Sequence, residues 1–286
     1  MNAKKESIPI SRFVEVNKAL IHALDWGGSG TPLLLVHGAM RTGRSWNAVA
    51  RRLRDTYRVI SIDIRGHGDS GATVDGNDTS SRLNDILAIS EDLKLGPHYV
   101  MAHSLGAIPS GMYCARMNHL VKALILIEPM IDMNIFWKRG EKSKSKWLAN
   151  PPMAARRNSW DNMEELVRRI RKNDATKNWT EEVLADVLNE EIRELPDGRV
   201  EVKWDRSIYN LEEMWNDNNS LIVEAPNIDM PVLVVVREEN QQINTTVKAL
   251  VDSLPDSKLM KIDSIGHSMY MENPDMVAQM AREWFA

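Results

Sequence analysis

The sequence contains a single cysteine, Cys114, among its 286 residues. One thiol cannot form an internal disulfide, and no cluster of cysteine and histidine surrounds it that would indicate a zinc site. The first ten residues lack the apolar core of a signal peptide, and no segment approaches the roughly 20 apolar residues of a membrane span. These absences predict a soluble, cytoplasmic protein in a reducing compartment.

An excess of charge of one sign is also missing. The 36 Lys and Arg residues and the 40 Asp and Glu residues give a formal net charge of −4, and neither sign forms a long block. Binding of nucleic acid or of an anionic membrane surface normally needs a concentrated basic region. We therefore expect neither partner. No oligomeric state is predicted, because one sequence does not reveal which apolar surface stays exposed.

Short, continuous apolar runs alternate with segments of helical spacing. The runs lie at residues 33–37, 58–63, 98–103, 122–128, 231–236 and 258–263. Such a run is typical of a strand that is covered on both faces in a parallel sheet. Strand alternating with helix predicts an α/β fold with a mostly parallel, doubly wound sheet. Residues 13–25 alternate loosely before a glycine-rich turn, which predicts an edge hairpin.

The alternation breaks between residues 132 and 226. This stretch is heavily charged and holds six of the nine tryptophans. Helices with scattered aromatics and charged outer faces fit a cap that lies over a sheet. We predict a helical cap, or lid, at 132–226, inserted into an α/β core made of 1–131 and 227–286. The alternative is a small helical subdomain in which the tryptophans serve only packing.

The run 98–103 leads into a short pattern of small residues around a serine. The chain reads Ala102-His103-Ser104-Leu105-Gly106 and then enters a helix. A sharp strand-to-helix turn would raise the Ser104 hydroxyl above the sheet, and large side chains two positions away would clash. This pattern predicts that Ser104 is a nucleophile. The alternative is a buried serine that caps a helix.

A nucleophilic serine needs a base, because its hydroxyl is a poor nucleophile at neutral pH. Of the seven histidines, His267 follows the run 258–263 after a short loop and precedes the last helix. It should therefore lie where the strands end, which is where catalytic groups gather in open α/β sheets. Strand alternation directs the ring of His103 away from this place. For His37 and His67 we expect structural roles.

Four motifs resemble those of the α/β-hydrolase superfamily, in a serine-nucleophile member with a cap. They are HGAM (37–40), DIRGHGDS (63–70), AHSLG (102–106) and IGHS (265–268). The resemblance implies an α/β-hydrolase fold and an oxyanion hole formed by the backbone N–H groups of Ala39 and Leu105. Amides fixed in a turn hold developing negative charge without reorganising. It implies that Asp63 ties down its own loop. No metal or organic cofactor is implied.

The aspartate that most relatives carry after the strand at 231–236 is missing, because Asn240 stands at that position. An amide cannot stabilise an imidazolium with a full charge. Glu128 ends an apolar strand and resembles the acid of certain lactone-opening members, so we predict it as the third catalytic residue. Glu238 and Glu239 are the alternatives, and so is the absence of any acid.

These roles predict a serine hydrolase that cleaves an ester or lactone bond of a bulky, apolar small molecule through a Ser-His-Glu triad and an acyl-enzyme. Serine at position 104 argues against dehalogenation and epoxide opening, which rely on aspartate in this superfamily. The alternatives are a hydrolase of carbon–carbon bonds that uses the same triad, a ligand receptor, and an inactive scaffold that keeps the pocket.

Methionines and tryptophans near the predicted site are candidates for binding an apolar substrate. They are Met40, Met130, Met133 and Trp137. Methionine side chains adapt to irregular apolar ligands, although methionines at such positions are often only part of the core.

Overall fold

The computed structural model describes residues 8–73, 76–133, 145, 157–208, 211–238 and 241–286. Among these residues, no helix is both long enough and apolar enough to cross a bilayer.

The centre of the molecule is a sheet of eight strands. They are β1 (Ile10–Val16), β2 (Ala19–Asp25), β3 (Pro32–Val36), β4 (Arg58–Ile62), β5 (His98–His103), β6 (Val121–Ile127), β10 (Val232–Arg237) and β11 (Ser257–Ile262). Their order across the sheet is β1-β2-β4-β3-β5-β6-β10-β11. The hairpin β1–β2 and the pair β2–β4 are antiparallel, and all other pairs are parallel. The predicted α/β fold and its edge hairpin are therefore confirmed.

Helices connect the parallel strands or follow the last of them. They are α1 (Asn47–Leu53), α2 (Thr79–Asp92), α3 (Ala107–Arg116), α8 (Gln241–Ser253), α9 (Met269–Glu272) and α10 (Pro274–Trp284). The sequence marks several of their starts: the Asp78 carboxylate accepts from the Ser81 N–H at the start of α2, and Asn273 caps α10 just before a proline. Strands β3 to β6 are almost completely buried, which explains their continuous apolar runs.

The segment between β6 and β10 contains helices and a second, small sheet. Among its described residues are the helices α4 (Met163–Lys172), α5 (Glu181–Asp186), α6 (Leu211–Asn216) and α7 (Leu221–Glu224). The strands are β7 (Ser159–Trp160), β8 (Ile192–Glu194) and β9 (Val200–Val202), in the antiparallel order β7-β9-β8. We predicted helices here and did not predict this sheet, because strands of two or three residues are too short to show alternation. The cap boundaries at 132 and 226 stay a prediction.

This segment contacts the core at several places. The Gly68 N–H donates to the Lys203 carbonyl over 2.7 Å, beside an antiparallel bridge between His67 and Trp204. On α1, Arg51 donates to Glu182 of α5 over 2.9 Å. The residues after β9 are thereby held against the loop after β4, and helix α5 is held against α1.

Candidate active site

Ser104 lies at the sharp turn between β5 and α3. Its backbone φ of +50° is in the left-handed region, which a non-glycine residue adopts at an energetic cost and mostly at functional sites. A Cβ atom on Gly106 would lie 2.5 Å from the carbonyl oxygen of His37, so the turn needs a residue without a side chain there. This close approach is the physical reason for the small-residue pattern in the sequence.

A chain of hydrogen bonds connects Ser104, His267 and Glu128. The Ser104 Oγ lies 3.0 Å from His267 Nε2, and His267 Nδ1 lies 3.1 Å from Glu128 Oε2. Glu128, as an ionised carboxylate, only accepts, so Nδ1 carries the proton and Nε2 accepts from the serine hydroxyl. An imidazole held in this tautomer is ready to take the hydroxyl proton.

Glu128 is fixed by the neighbouring strand β10. It is 4% exposed, and its backbone N–H donates to the Val235 carbonyl over 2.8 Å. Its Oε1 accepts from the Arg237 backbone N–H over 2.7 Å, and its Oε2 accepts from the Arg237 Nε over 2.9 Å. Burial raises the pKa of the carboxyl, but the hydrogen bond from His267 and those from Arg237 outweigh it and hold the pKa below its ordinary value. The carboxylate is thus ionised at neutral pH.

Of the other candidate acids, the structure describes Glu238, which makes no hydrogen bond to His267. The Glu238 side chain is exposed, and its backbone N–H donates to Ile262. Glu239 and Asn240 lie outside the described residues.

Two buried histidines hold the loop that follows β3. His37 Nε2 accepts from the Ile64 N–H over 2.9 Å, and its Nδ1–H donates to the Gly38 carbonyl. His67 Nε2 accepts from the Met40 N–H over 3.2 Å. Burial lowers the pKa of His37 to about 4 and that of His67 to about 3, so both rings are neutral. They fix the turn that carries Ala39. Ala39 lines the same cavity as Ser104.

His103 lies against the candidate site, whereas strand alternation predicted that its ring points away. Its Nε2–H donates to the His267 carbonyl over 2.9 Å, and the two ring centres are 4.7 Å apart. His103 keeps extended backbone, with φ −117° and ψ 136°, so its contact with the site arises because the loop of His267 reaches over its ring. Burial lowers the pKa of His103 well below its ordinary value, so the ring is a neutral support for the loop of His267.

Asp63 ties its loop together, in the way that the resemblance implied. Its carboxylate accepts from the Gly43 N–H over 2.6 Å and from the Asp69 N–H over 2.8 Å, and it contacts His22 Nδ1 at 2.7 Å. His22, Asp63 and Asp69 are also the group of possible cation ligands in the described part of the chain, with ligand atoms within 4.8 Å of one another. The hydrogen bonds to Asp63 already account for this cluster as a structural anchor.

A cavity of about 540 Å³ opens in front of Ser104 and His267. Its apolar lining includes Met40 and Met130 from the core. From the segment between β6 and β10 it includes the tryptophans Trp160, Trp179 and Trp204. Such an apolar wall around a few polar groups is typical of a site for a small organic molecule.

Two of the residues predicted to bind a substrate are not among the described residues that line the cavity. Met133 is buried, and its backbone N–H donates to the Asn219 carbonyl over 3.1 Å, where the chain pairs with the segment before α7. Trp137 lies outside the described residues.

Sequence reasoning missed two arginines of this region. Arg237 supports Glu128, and Arg41 lines the cavity directly after the HGAM motif. Their positions in the sequence could have indicated them. Arg237 is a charged residue at the end of the apolar strand β10, and Arg41 continues the loop that faces Ser104.

Several known proteins with a similar sequence or structure are hydrolases. Epoxide hydrolase 1 of Caenorhabditis elegans is 23% identical over 291 residues, which covers 96% of this chain and 70% of that protein. An esterase of Mycobacterium tuberculosis is 28% identical over 130 residues, 44% of this chain and less than half (43%) of that protein. The structure of a thioesterase domain from the curacin biosynthetic pathway has a TM-score of 0.80 at 19% identity and covers 97% of this chain and 100% of that chain, which supports the fold alone.

A model of the alpha/beta hydrolase family matches residues 33–280, which is most of the chain and includes both Ser104 and His267. The family and the relatives support hydrolase activity in general. The protein therefore belongs to the alpha/beta hydrolase family.

Proposed function

We propose that the protein is a serine hydrolase that cleaves an ester or lactone bond of a small molecule. Ser104 acts as nucleophile, His267 as general base and Glu128 as the acid that orients and stabilises His267. The observation that carries this proposal is the continuous hydrogen-bond chain from Glu128 through His267 to Ser104, which ends in a cavity of about 540 Å³.

The first half of the reaction forms an acyl-enzyme. His267 Nε2 takes the proton of the Ser104 hydroxyl while the oxygen attacks the carbonyl carbon of the substrate. The carbonyl oxygen becomes an oxyanion, which the N–H groups of Ala39 and Leu105 stabilise. When the tetrahedral intermediate collapses, the bond to the leaving oxygen breaks, and His267 returns the proton to the departing alcohol.

The second half releases the acid. A water molecule gives a proton to His267 and attacks the acyl group on Ser104, and a second tetrahedral intermediate forms. Its collapse frees the carboxylic acid and restores the Ser104 hydroxyl. Throughout both halves the ionised Glu128 stabilises the imidazolium form of His267, which a neutral partner does less well.

The identity of residue 104 favours ester chemistry over epoxide opening. Epoxide opening in this superfamily relies on an aspartate nucleophile, and this chain has a serine there. The similarity to a nematode epoxide hydrolase therefore supports the fold and the hydrolase class, and the similarity to a mycobacterial esterase agrees with the chemistry of a serine.

The cavity favours a substrate with a sizeable apolar part. Met40, Met130 and three tryptophans line it, and burying their apolar surface against a ligand contributes about 25 cal/mol for each Å² removed from water. Flexible methionine side chains also adapt their shape to the ligand.

The experiment compares the wild type with Ser104→Ala on a panel of chromogenic esters and macrocyclic lactones, with mass spectrometry to detect an acyl group on the protein. Turnover and a Ser104 adduct are expected in the wild type and absent in Ser104→Ala. Ser253→Ala serves as the matched control, because Ser253 lies on α8 and its hydroxyl only donates to the Ala249 carbonyl. That variant should keep both turnover and adduct.

Two results would overturn the proposal. The first is turnover that persists in Ser104→Ala, which would assign the reaction to another group. The second is a folded wild type with neither turnover nor adduct across the panel. Tight binding of a panel member without turnover would then favour a ligand receptor.

A further inference from the structure

The charged side chains of the cavity lining all have the same sign. Among the described residues that line it, these are the arginines Arg41, Arg157 and Arg169, with no aspartate or glutamate. A charge that lines a largely apolar cavity is unfavourable unless a partner compensates it. The partner of each arginine therefore decides which of them is available to a ligand.

Two of the three arginines are engaged or exposed to solvent. Arg157 makes a two-pronged contact with Glu165, at 2.8 and 3.0 Å. The Arg169 side chain is 66% exposed and lies 4.0 Å from the same carboxylate. Water and Glu165 therefore satisfy these two groups.

Arg41 differs from both. Its side chain is only 18% exposed, and its guanidinium carbon lies 5.0 Å from the ring centre of Trp179. The Nη1 atom is buried and has no hydrogen-bond acceptor in the described part of the chain. A buried guanidinium N–H without an acceptor is costly, and it gains most from a carboxylate.

The nearest carboxylate, that of Glu191, does not fill this role. It lies 3.4 Å from Arg41 Nη1, yet neither of its oxygens accepts a hydrogen bond from the described residues. In contrast, the buried pair of Arg65 and Asp85 forms two hydrogen bonds of 2.8 and 2.6 Å. A pair that serves only stability has this forked geometry, and Arg41 and Glu191 lack it.

Glu191 lies in a π-helical turn, Val187–Glu191, which forms part of the cavity wall through Val187. Single π-helical turns are frequent at functional sites. Burial raises the pKa of its carboxyl to about 7. Its negative charge is therefore present in full only above neutral pH, and the positive charge of Arg41 is compensated weakly below it.

We propose that Arg41 binds a carboxylate group of the substrate, so that the enzyme acts on esters or lactones that carry a carboxylate as well as an apolar part. This inference rests on the proposed function. Arg41 follows Ala39 by two residues, so the carboxylate binds on the side of the cavity that holds the proposed oxyanion hole. A guanidinium group suits this role because its fork of N–H donors matches the two oxygens of a carboxylate.

The experiment uses two matched pairs of esters that differ only in charge. One pair, 4-acetoxybenzoate and 4-acetoxybenzamide, places the carboxylate or its amide counterpart on the leaving group. The other pair, mono(4-nitrophenyl) adipate and its primary amide, places it on the acyl group. The measured quantity is the ratio of kcat/KM for the carboxylate over that for the amide, at pH 8, in wild type and variants.

In at least one pair the wild type should prefer the carboxylate by about 10- to 100-fold, the range expected for a charge-assisted hydrogen bond. Arg41→Gln should reduce this ratio to near one through a higher KM for the carboxylate, and leave kcat/KM for the amide within a few fold. Glu191→Gln should increase the ratio, because it removes the charge that competes for Arg41. Arg171→Gln is the matched control, since Arg171 pairs with Glu181 and does not line the cavity.

The results separate this inference from the proposed function. Equal turnover of both members of each pair by the wild type, or an equal loss for both in Arg41→Gln, would overturn the role of Arg41 while the serine hydrolase stands. An equal loss is what a purely structural role of Arg41 predicts. If no ester of either pair is cleaved while a member of the first panel is, the role of Arg41 is overturned as well. If the folded wild type cleaves no compound of any kind, or if Ser104→Ala cleaves the esters as fast as the wild type, the proposed function itself fails.

Discussion

Two buried glutamates, one at the end of β6 and one in the π-helical turn before β8, show how differently this molecule treats the same side chain. Glu128 is 4% exposed and Glu191 is fully buried, and each lies next to an arginine. Glu128 accepts hydrogen bonds from His267 and from two groups of Arg237, and its pKa is lowered. Glu191 accepts none on its side chain from the described residues, and its pKa is raised to about 7.

The difference shows that burial and a nearby arginine do not by themselves determine the charge of a carboxyl group. Desolvation raises the pKa in both cases, and only directed hydrogen bonds to the carboxylate reverse the effect. At Glu128 the rigid strand β10 supplies such a donor from its own backbone. At Glu191, Arg41 approaches from the loop after β3, whereas Glu191 lies in the segment between β6 and β10. No N–H donor of the described residues is aligned with the Glu191 oxygens.

The largest expected effect comes from Glu128→Gln. The amide keeps the shape of the side chain but cannot balance an imidazolium charge, so kcat/KM should fall by about 10³- to 10⁴-fold, with little change in the midpoint of thermal unfolding. Steady-state kinetics and a thermal melt of the same preparation check both points.

Glu238→Gln is the matched control, because this exposed glutamate directly follows β10, the strand beside β6, and its backbone N–H donates to the Ile262 carbonyl. Its kcat/KM should stay near that of the wild type. A large loss in this variant together with a mild one in Glu128→Gln would reassign the acid.

A smaller effect, on stability, is expected from Glu191→Gln. In the unfolded chain the carboxyl loses its proton near its ordinary pKa of 4.5, whereas in the folded protein it keeps the proton up to about pH 7. The unfolded state then binds fewer protons than the folded state between these values, so wild-type stability falls as pH rises through this window and is level above it. Glu191→Gln has no carboxyl group at this position, so its free energy of unfolding does not fall in this pH window for this reason.

Urea unfolding at pH 5 and pH 8 measures the difference. The free energy of unfolding of the wild type, relative to Glu191→Gln, should be about 2–3 kcal/mol lower at pH 8 than at pH 5. No change between the two pH values would mean that Arg41 keeps Glu191 ionised throughout, and the contrast with Glu128 would disappear.

The smallest effect is expected from Arg237→Met. This change removes the guanidinium from Glu128 but leaves the backbone N–H of residue 237 in place, so kcat/KM should fall only about tenfold. Without the positive charge the pKa of Glu128 rises, and the acid limb of the pH–rate profile should shift to higher pH. Arg116→Met, a loss of charge at an exposed arginine, should leave the profile unchanged.

The strands of the core were predictable within one or two residues because burial on both faces leaves continuous apolar runs. The turn at Ser104 was predictable because its close backbone approach excludes large side chains from Gly106. Both features leave a short local pattern in the sequence, although the atoms that require Gly106 belong to the distant residue His37. The position of His267 followed from its place after the last strand.

The environment of Glu128 was only partly predictable. That β6 pairs with β10, across the long intervening segment, is a property of the sheet order, and only this pairing brings Arg237 beside Glu128. The contact between Arg41 and Glu191 depends in the same way on how that segment packs on the core, and no periodicity in the sequence reports it. The small sheet escaped prediction because its strands are too short.

The positions of the linked residues along the chain have a consequence for biosynthesis. Ser104 and Glu128 belong to neighbouring strands joined by one helix, whereas Arg237 is 109 residues beyond Glu128 and His267 is 163 residues beyond Ser104. Domains generally fold as units, so the serine, the carboxylate and the histidine come together only when the last strand is added. A nascent chain stalled before that strand holds the serine without the histidine that accepts its hydrogen bond.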